Sequence, residues 1–122
     1  MERYDFEKLV EEALEDLPRE FAEKLENVEI VLEDEPTLEQ RQELNLHPQV
    51  TLFGLYKGIP KVKRGSGYTF VLPDKITIFQ KTIERFFHNP EDIKSQVRKT
   101  VLHEIGHHFG LSEESLHQTK VG

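Results

Sequence analysis

The chain has 122 residues, enough to bury one hydrophobic core but too few for two, so we expect residues 1–122 to form a single domain. It contains no cysteine, which excludes disulfides and thiolate metal ligands and leaves histidines and carboxylates to hold any metal. A formal net charge of -7 counts against binding to nucleic acid, and no apolar run has the length of a signal peptide or membrane span, so we expect a cytoplasmic protein.

The first third of the chain predicts a long helix, a second short helix through Phe21 and Leu25, one strand and a third short helix. Apolar residues recur at steps of three and four between positions 6 and 17, which is typical of an amphipathic helix. Alternation between positions 28 and 32 predicts a half-buried strand. Thr37 and Gln40 then have the spacing of a capping box, which indicates the start of a short helix.

The middle of the chain predicts three strands. Residues 50–56 and 68–72 are apolar and β-prone, with Gly54 as a candidate bulge. The basic residues between these two strands predict a solvated loop. Residues 75–79 alternate again after a proline-aspartate turn, so we expect them to form a hairpin with the strand at 68–72.

The last predicted helix has the strongest local signals. Asn89 is suited to the N-cap, and Pro90 and two acidic residues follow in the first turn. An apolar stripe then runs along the helix at four-residue spacing: Ile93, Val97, Val101 and Ile105. We expect the helix to end near Phe109, with Gly110 as its C-terminal cap. The predicted fold class is α+β, a short mixed sheet packed against helices, with this helix carrying the chemistry.

That helix contains the sequence H-E-x-x-H. His103 and His107 are four residues apart, so their rings project from one face and can bind a single Zn²⁺. Glu104 follows the first histidine, where it can act as general base on a zinc-bound water. Two histidines alone are more often ordinary surface residues, but the glutamate and the capped helix favour a catalytic metal site.

A third protein ligand is needed, and the sequence leaves it open. A chain reversal at Gly110 can bring Glu113 back beneath the two imidazoles, which completes a His₂Glu set with a position open for water. His117 and Glu114 are the alternatives. His108 points about 100° away around the helix, so we expect it to pack or to support a ligand.

Residues 103–113, HEIGHHFGLSE, resemble the extended zinc motif of metzincin-type peptidases, with an acid in the last place. They are still more similar to a family of minimal bacterial zincin-like metallopeptidases, and the resemblance extends from about residue 17 to residue 116. It implies a compact zincin-like fold with one Zn²⁺, a C-terminal metal-binding helix and a peptide or protein substrate. It also implies that a strand between residues 50 and 79 binds this substrate by strand addition.

Two other functions remain open. The only methionine is Met1, so the Met-turn of true metzincins is missing, and the chain could be an inactive metal-binding interaction or regulatory module. A metal-dependent endoribonuclease is the third possibility, but Glu104 and the acidic net charge count against it. Tyr68 or Arg64 could stabilise an oxyanion, although each is more often structural.

Overall fold

The computed structural model describes residues 1–46, 51–58, 62–64, 68–70 and 73–109, and for residues 62–64 and 68–70 it describes the backbone. The helices are α1 (Arg3–Glu15), α2 (Arg19–Lys24), α3 (Leu38–Glu43), α4 (Gln80–Phe86) and α5 (Pro90–His108). The strands are β1 (Val28–Glu33), β2 (Gly54–Lys57), β3 (Val62–Arg64), β4 (Tyr68–Phe70) and β5 (Asp74–Phe79). Within these described ranges, no helix is both long and apolar enough to cross a membrane.

A three-stranded mixed sheet forms the centre of the fold. Its strand order is β1-β5-β2, with β1 parallel to β5 and β2 antiparallel to it. Ile76 lies opposite Ile30 on one side and opposite Tyr56 on the other. The predicted α+β class with a short mixed sheet is therefore confirmed.

The predicted hairpin between residues 68–72 and 75–79 is wrong. β4 pairs with β3 in a separate two-stranded sheet, whereas β5 lies between β1 and β2. The basic segment is not a loop throughout either, because Lys57 lies in β2 and Val62–Arg64 forms β3. Strands that are adjacent in sequence often pair, but here β5 lies at the centre of the larger sheet, where Ile76, Ile78 and Phe79 are fully buried.

The alternation predicted for residues 75–79 does not leave one face of β5 exposed. Ile76, Thr77, Ile78 and Phe79 are all buried, so both faces of this strand are covered. A central strand between two neighbours and under helices loses the polar face that an edge strand keeps. Thr77, which lies on the face opposite Ile76 and Ile78, is 1% exposed.

The core lies between the sheet and helices α1 and α5. The predicted first helix is confirmed as α1, which buries Phe6, Val10 and Ala13. The predicted capping box is present at the start of α3, where Thr37 and Gln40 exchange hydrogen bonds. These local features agree with the sequence because each depends on residues within one turn of helix.

The helix α5 begins and packs as its sequence predicts. The Asn89 side chain accepts a hydrogen bond of 2.9 Å from the Asp92 N–H, and Pro90 is the first helical residue. All four residues of the predicted apolar stripe are buried, at 2% exposure or less: Ile93, Val97, Val101 and Ile105. Anchoring this stripe in the core fixes which face of the helix carries the histidines.

Candidate metal centre

His103 and His107 lie near the C-terminal end of α5. Both side chains are exposed, and their ring centroids are 4.2 Å apart with 54° between the ring planes. Histidine nitrogens bind zinc at about 2.0–2.1 Å, so one nitrogen of each ring could reach a common ion. The helix brings the two rings together as their spacing predicts, and their binding of a metal stays a prediction.

The Glu104 side chain is half-buried between α5 and the edge strand β2. Its Oε1 accepts a hydrogen bond of 3.0 Å from the backbone N–H of Tyr56. Burial raises the pKa of the Glu104 carboxyl above its usual value, while this hydrogen bond and the nearby His103 and His107 act in the opposite direction. A carboxyl whose pKa is raised is better matched to exchanging a proton near neutral pH.

The direction of the Tyr56 N–H follows from the pairing of β2. Phe53 accepts a hydrogen bond from Phe79, and Leu55 lies opposite Thr77. Because hydrogen bonding alternates along an antiparallel strand, the backbone groups of Gly54 and Tyr56 point away from β5. This outer edge of β2 therefore faces the glutamate of α5.

A glycine is needed where β2 crosses α5. A methyl group on Gly54 would lie 2.5 Å from Thr100 Cγ2 and 3.2 Å from the Thr77 carbonyl oxygen. Gly54 pairs with Ile78 in an uninterrupted register, so the predicted bulge at this position is wrong. Its missing side chain instead permits the close approach of strand and helix.

Tyr56, two residues further along β2, contacts both α5 and β5. Its ring stacks on His108 with centroids 3.9 Å apart, and its hydroxyl donates a hydrogen bond of 2.7 Å to Asp74 Oδ2. Burial raises the Tyr56 pKa, and the hydrogen bond to Asp74 and that residue's negative charge raise it further. The tyrosine therefore stays a neutral donor, and His108 has the packing role predicted for it.

A groove of about 390 Å³ lies beside this centre. It is lined by residues 51–54 and, from α5, by Gln96, Lys99, Thr100, His103 and Glu104. A larger groove of about 490 Å³ between α1 and β1 has Arg3, Glu7 and Glu11 among its lining residues. The smaller groove is the relevant one because it contains both a histidine and the half-buried glutamate.

Other predicted site residues lie outside the described residues. This applies to all three candidates for the third ligand, Glu113, Glu114 and His117, and to the side chains of Tyr68 and Arg64. Within residues 1–46, 51–58 and 73–109, no three histidine or carboxylate side chains converge where they could hold one ion.

The model of the zincin-like metallopeptidase family matches residues 25–122. The chain belongs to this family. This zincin-like protein is also similar to the solved structure of a conserved hypothetical protein from Thermus thermophilus, with 26% identity and a TM-score of 0.55. That likeness covers 93% of this chain and 94% of the other. No curated protein matches the chain.

The described residues of this zincin-like protein fit two positions of a zinc site. Imidazoles are ordinary zinc ligands, and neither His103 nor His107 has a hydrogen bond to another described residue that would compete with a metal. Zincins as a family bind zinc, which agrees with this donor set. His103 and His107 would hold the ion together with a ligand from elsewhere in the chain.

Sequence reasoning missed Tyr56 and Asp74. Tyr56 is 48 residues from Glu104 along the chain, and no local pattern links them. The sequence predicts a turn at Asp74, whereas this residue begins β5 and accepts a hydrogen bond from the Tyr56 hydroxyl. Lys99 could have been found, since it precedes His103 by four residues and so shares its helix face.

Proposed function

We propose that this protein is a zinc-dependent hydrolase that cleaves peptide bonds. His103 and His107 would be two of the metal ligands, and Glu104 would be the general base. The observation that carries the proposal is the position of Glu104, half-buried beside the histidine pair with one carboxylate oxygen held by the Tyr56 N–H. A glutamate with only a surface role has no need of this partly buried hydrogen bond.

Glu104 can move a proton in two steps. A bound Zn²⁺ would supply a Lewis acid and lower the pKa of water near it to about 7. The Glu104 Oε1 is occupied by the Tyr56 N–H, so Oε2 would take the proton from the attacking water. The same oxygen would then return this proton to the nitrogen of the leaving amine. Burial of Glu104 supports the first step, because it raises the carboxyl's affinity for the proton.

The outer edge of β2 would bind the substrate. Gly54 directs its backbone N–H and C=O away from β5, beside the groove. An extended peptide can add to such an edge through backbone hydrogen bonds, and the half-buried Leu52 and Phe53 offer an apolar wall for its side chains. A peptide placed there passes close to both Glu104 and His103.

For the third ligand we propose Glu113, with His117 and Glu114 as alternatives. A His₂Glu set is a composition that catalytic zinc sites use, and it leaves a position for water. Glu113 is ten residues after His103, so it can share the ion only if the chain turns back after α5. Gly110 is suited to begin such a turn.

The proposal is tested with a quenched fluorescent peptide library and three purified proteins, the zinc-loaded wild type, Glu104→Gln and His103→Ala. We expect zinc-dependent cleavage by the wild type and a loss of about 10²-fold or more for Glu104→Gln, which should keep its zinc. His103→Ala should lose both zinc and cleavage. If the zinc-loaded wild type cleaves nothing, the catalytic proposal fails, and capture of a protein partner equally by wild type and Glu104→Gln would then identify a binding module.

A further inference from the structure

Lys99 is an exposed cation in the groove that contains the candidate metal centre. It lies four residues before His103 on α5 and lines the groove together with His103 and Glu104. Other basic residues of the same helix are in ion pairs, Lys94 with Glu12 and Glu91, and Arg98 with Asp16. Among the described residues, none forms an ion pair with Lys99. The groove therefore presents an ammonium group that is available to a ligand.

The distance along the helix limits which part of a peptide Lys99 can meet. Four helical residues span about 6 Å, and an extended peptide advances about 3.3 Å per residue. The cleaved peptide bond would lie beside His103, so a substrate group bound by Lys99 would be about one to three residues away from it. This range is short enough for one side chain to influence cleavage.

The packing of β2 on α5 indicates the direction of that peptide. Gly54 lies over Thr100 and Tyr56 stacks on His108, so β2 and α5 run the same way at this crossing. Antiparallel pairing is the more stable arrangement per residue. A peptide antiparallel to β2 would run from His108 towards Lys99, with its C-terminal part beside the lysine.

We propose that Lys99 makes this site selective for a carboxylate on the C-terminal side of the cleaved bond. The carboxylate belongs either to an aspartate or glutamate side chain or to the C-terminus of the peptide itself. Glu104 is the only acid among the groove residues that the structure describes, and it faces the Tyr56 N–H. Because the chain has a net charge of -7, this selectivity must come from contact with Lys99 rather than from long-range attraction. The inference rests on the proposed peptidase function.

The test uses fluorescent peptides that differ in one group. Three pairs have Glu or Gln at the first, second or third position after the cleaved bond, and a fourth pair ends in a free carboxylate or an amide. We expect about a two- to fivefold preference in kcat/KM for the carboxylate, as for an exposed ion pair, and an effect on KM rather than kcat. The pair that shows the preference identifies the source of the carboxylate.

Lys99→Met should abolish the preference, and Lys99→Glu should reverse it in favour of the uncharged member of the pair. Lys8→Met is the matched control, since it removes an exposed lysine from α1, outside the groove, and should leave the preference intact. Circular dichroism and thermal melts check that the variants fold. Equal cleavage of both members of each pair, or an unchanged preference in Lys99→Met, would overturn the inference and leave the peptidase proposal standing.

Binding of the same peptides to Glu104→Gln, measured by fluorescence anisotropy, separates the two proposals. Carboxylate-selective binding that depends on Lys99, without any cleavage by the wild type, would keep Lys99 as a carboxylate-binding residue of the groove and would overturn both the peptidase function and the role of Lys99 in cleavage. If the wild type cleaves nothing and Glu104→Gln binds no peptide, both fail.

Discussion

Gly54 and Thr100 approach so closely that a single methyl group on the glycine would lie 2.5 Å from Thr100 Cγ2. This contact sets the distance between β2 and α5. The two elements also meet where the Tyr56 N–H binds Glu104. The separation of strand and helix therefore determines whether the candidate general base keeps its backbone partner.

Gly54→Ala should destabilise the fold and weaken the link between Tyr56 and Glu104. Overpacking at such a site costs about 1–3 kcal/mol, which a chemical denaturation curve would measure. Thr100→Ser removes Cγ2 and keeps the hydroxyl that accepts a hydrogen bond from Gln96. The double variant should recover part of the loss, with a residual cost because the Thr77 carbonyl oxygen is 3.2 Å away. Wild-type stability in Gly54→Ala would contradict the observed packing.

Tyr56→Phe should lower stability by about 1 kcal/mol, the usual cost of one lost hydrogen bond. The change removes the hydroxyl that donates to Asp74 and keeps the ring that stacks on His108. Tyr4→Phe is the control, because Tyr4 is 64% exposed and should tolerate the change. Equal urea midpoints for the two variants would show that the hydrogen bond of the Tyr56 hydroxyl contributes nothing to the free energy of unfolding.

Glu104→Gln should change how stability depends on pH in the presence of a chelator. Burial raises the pKa of the Glu104 carboxyl in the folded state, so the neutral form is favoured by folding. The stability that the neutral Glu104 carboxyl contributes is fully present below its pKa in the unfolded state, about 4.3. This stability is lost as the pH rises through the raised pKa of the folded state. Gln stays neutral, so the variant should match the wild type near pH 4.

At pH 8 the chelated Glu104→Gln protein should be more stable than the wild type, because only the wild type then holds a charged carboxylate at this half-buried position. Thermal melts across pH 4 to 8 provide the comparison. A constant difference between the two proteins over that range would show that Glu104 titrates alike in the folded and unfolded states.

Zinc should stabilise the wild type and should not stabilise His103→Ala or His107→Ala. A ligand at one hundred times its Kd adds about 2.7 kcal/mol, which shifts the thermal midpoint by several degrees. His88→Ala is the matched control, since His88 is exposed and lies outside the candidate centre. Zinc-dependent stabilisation that survives in both His103→Ala and His107→Ala would place the metal elsewhere.

The third ligand can be identified by zinc titration of Glu113→Ala, Glu114→Ala and His117→Ala. Loss of a partner that only supports a metal ligand already costs about 10–100-fold in metal affinity, so loss of a ligand should cost at least as much. We expect this loss in Glu113→Ala and near-normal affinity in the other two. The opposite pattern would assign the position to one of the alternatives.

Helices were predicted well from the sequence because their signals are local. The N-cap at Asn89, the capping box at Thr37 and the apolar stripe of α5 each depend on residues within a few turns. The histidine pair follows from the same helical spacing. The family resemblance, inferred from residues 103–113, is confirmed by the match over residues 25–122.

Strand pairing could not be predicted in this way. β5 pairs with β1 and β2 rather than with β4, which is adjacent to it in sequence. Val28 of β1, for example, lies opposite Asp74 of β5 although the two are 46 residues apart. Gly54 likewise suggested a bulge, because its sequence neighbours give no sign of Thr100. Such contacts depend on how elements assemble, which local periodicity does not encode.

The orientation of α5 has an electrostatic consequence for any ion held by its histidines. The helix ends at His108, so His107 lies in its last turn. Peptide dipoles aligned along a helix leave about half a negative charge at this end. A dication bound there would lie at the negative pole, which contributes about 0.3–1 kcal/mol in its favour. The backbone itself thus selects for positive charge at this point, whichever side chain completes the coordination.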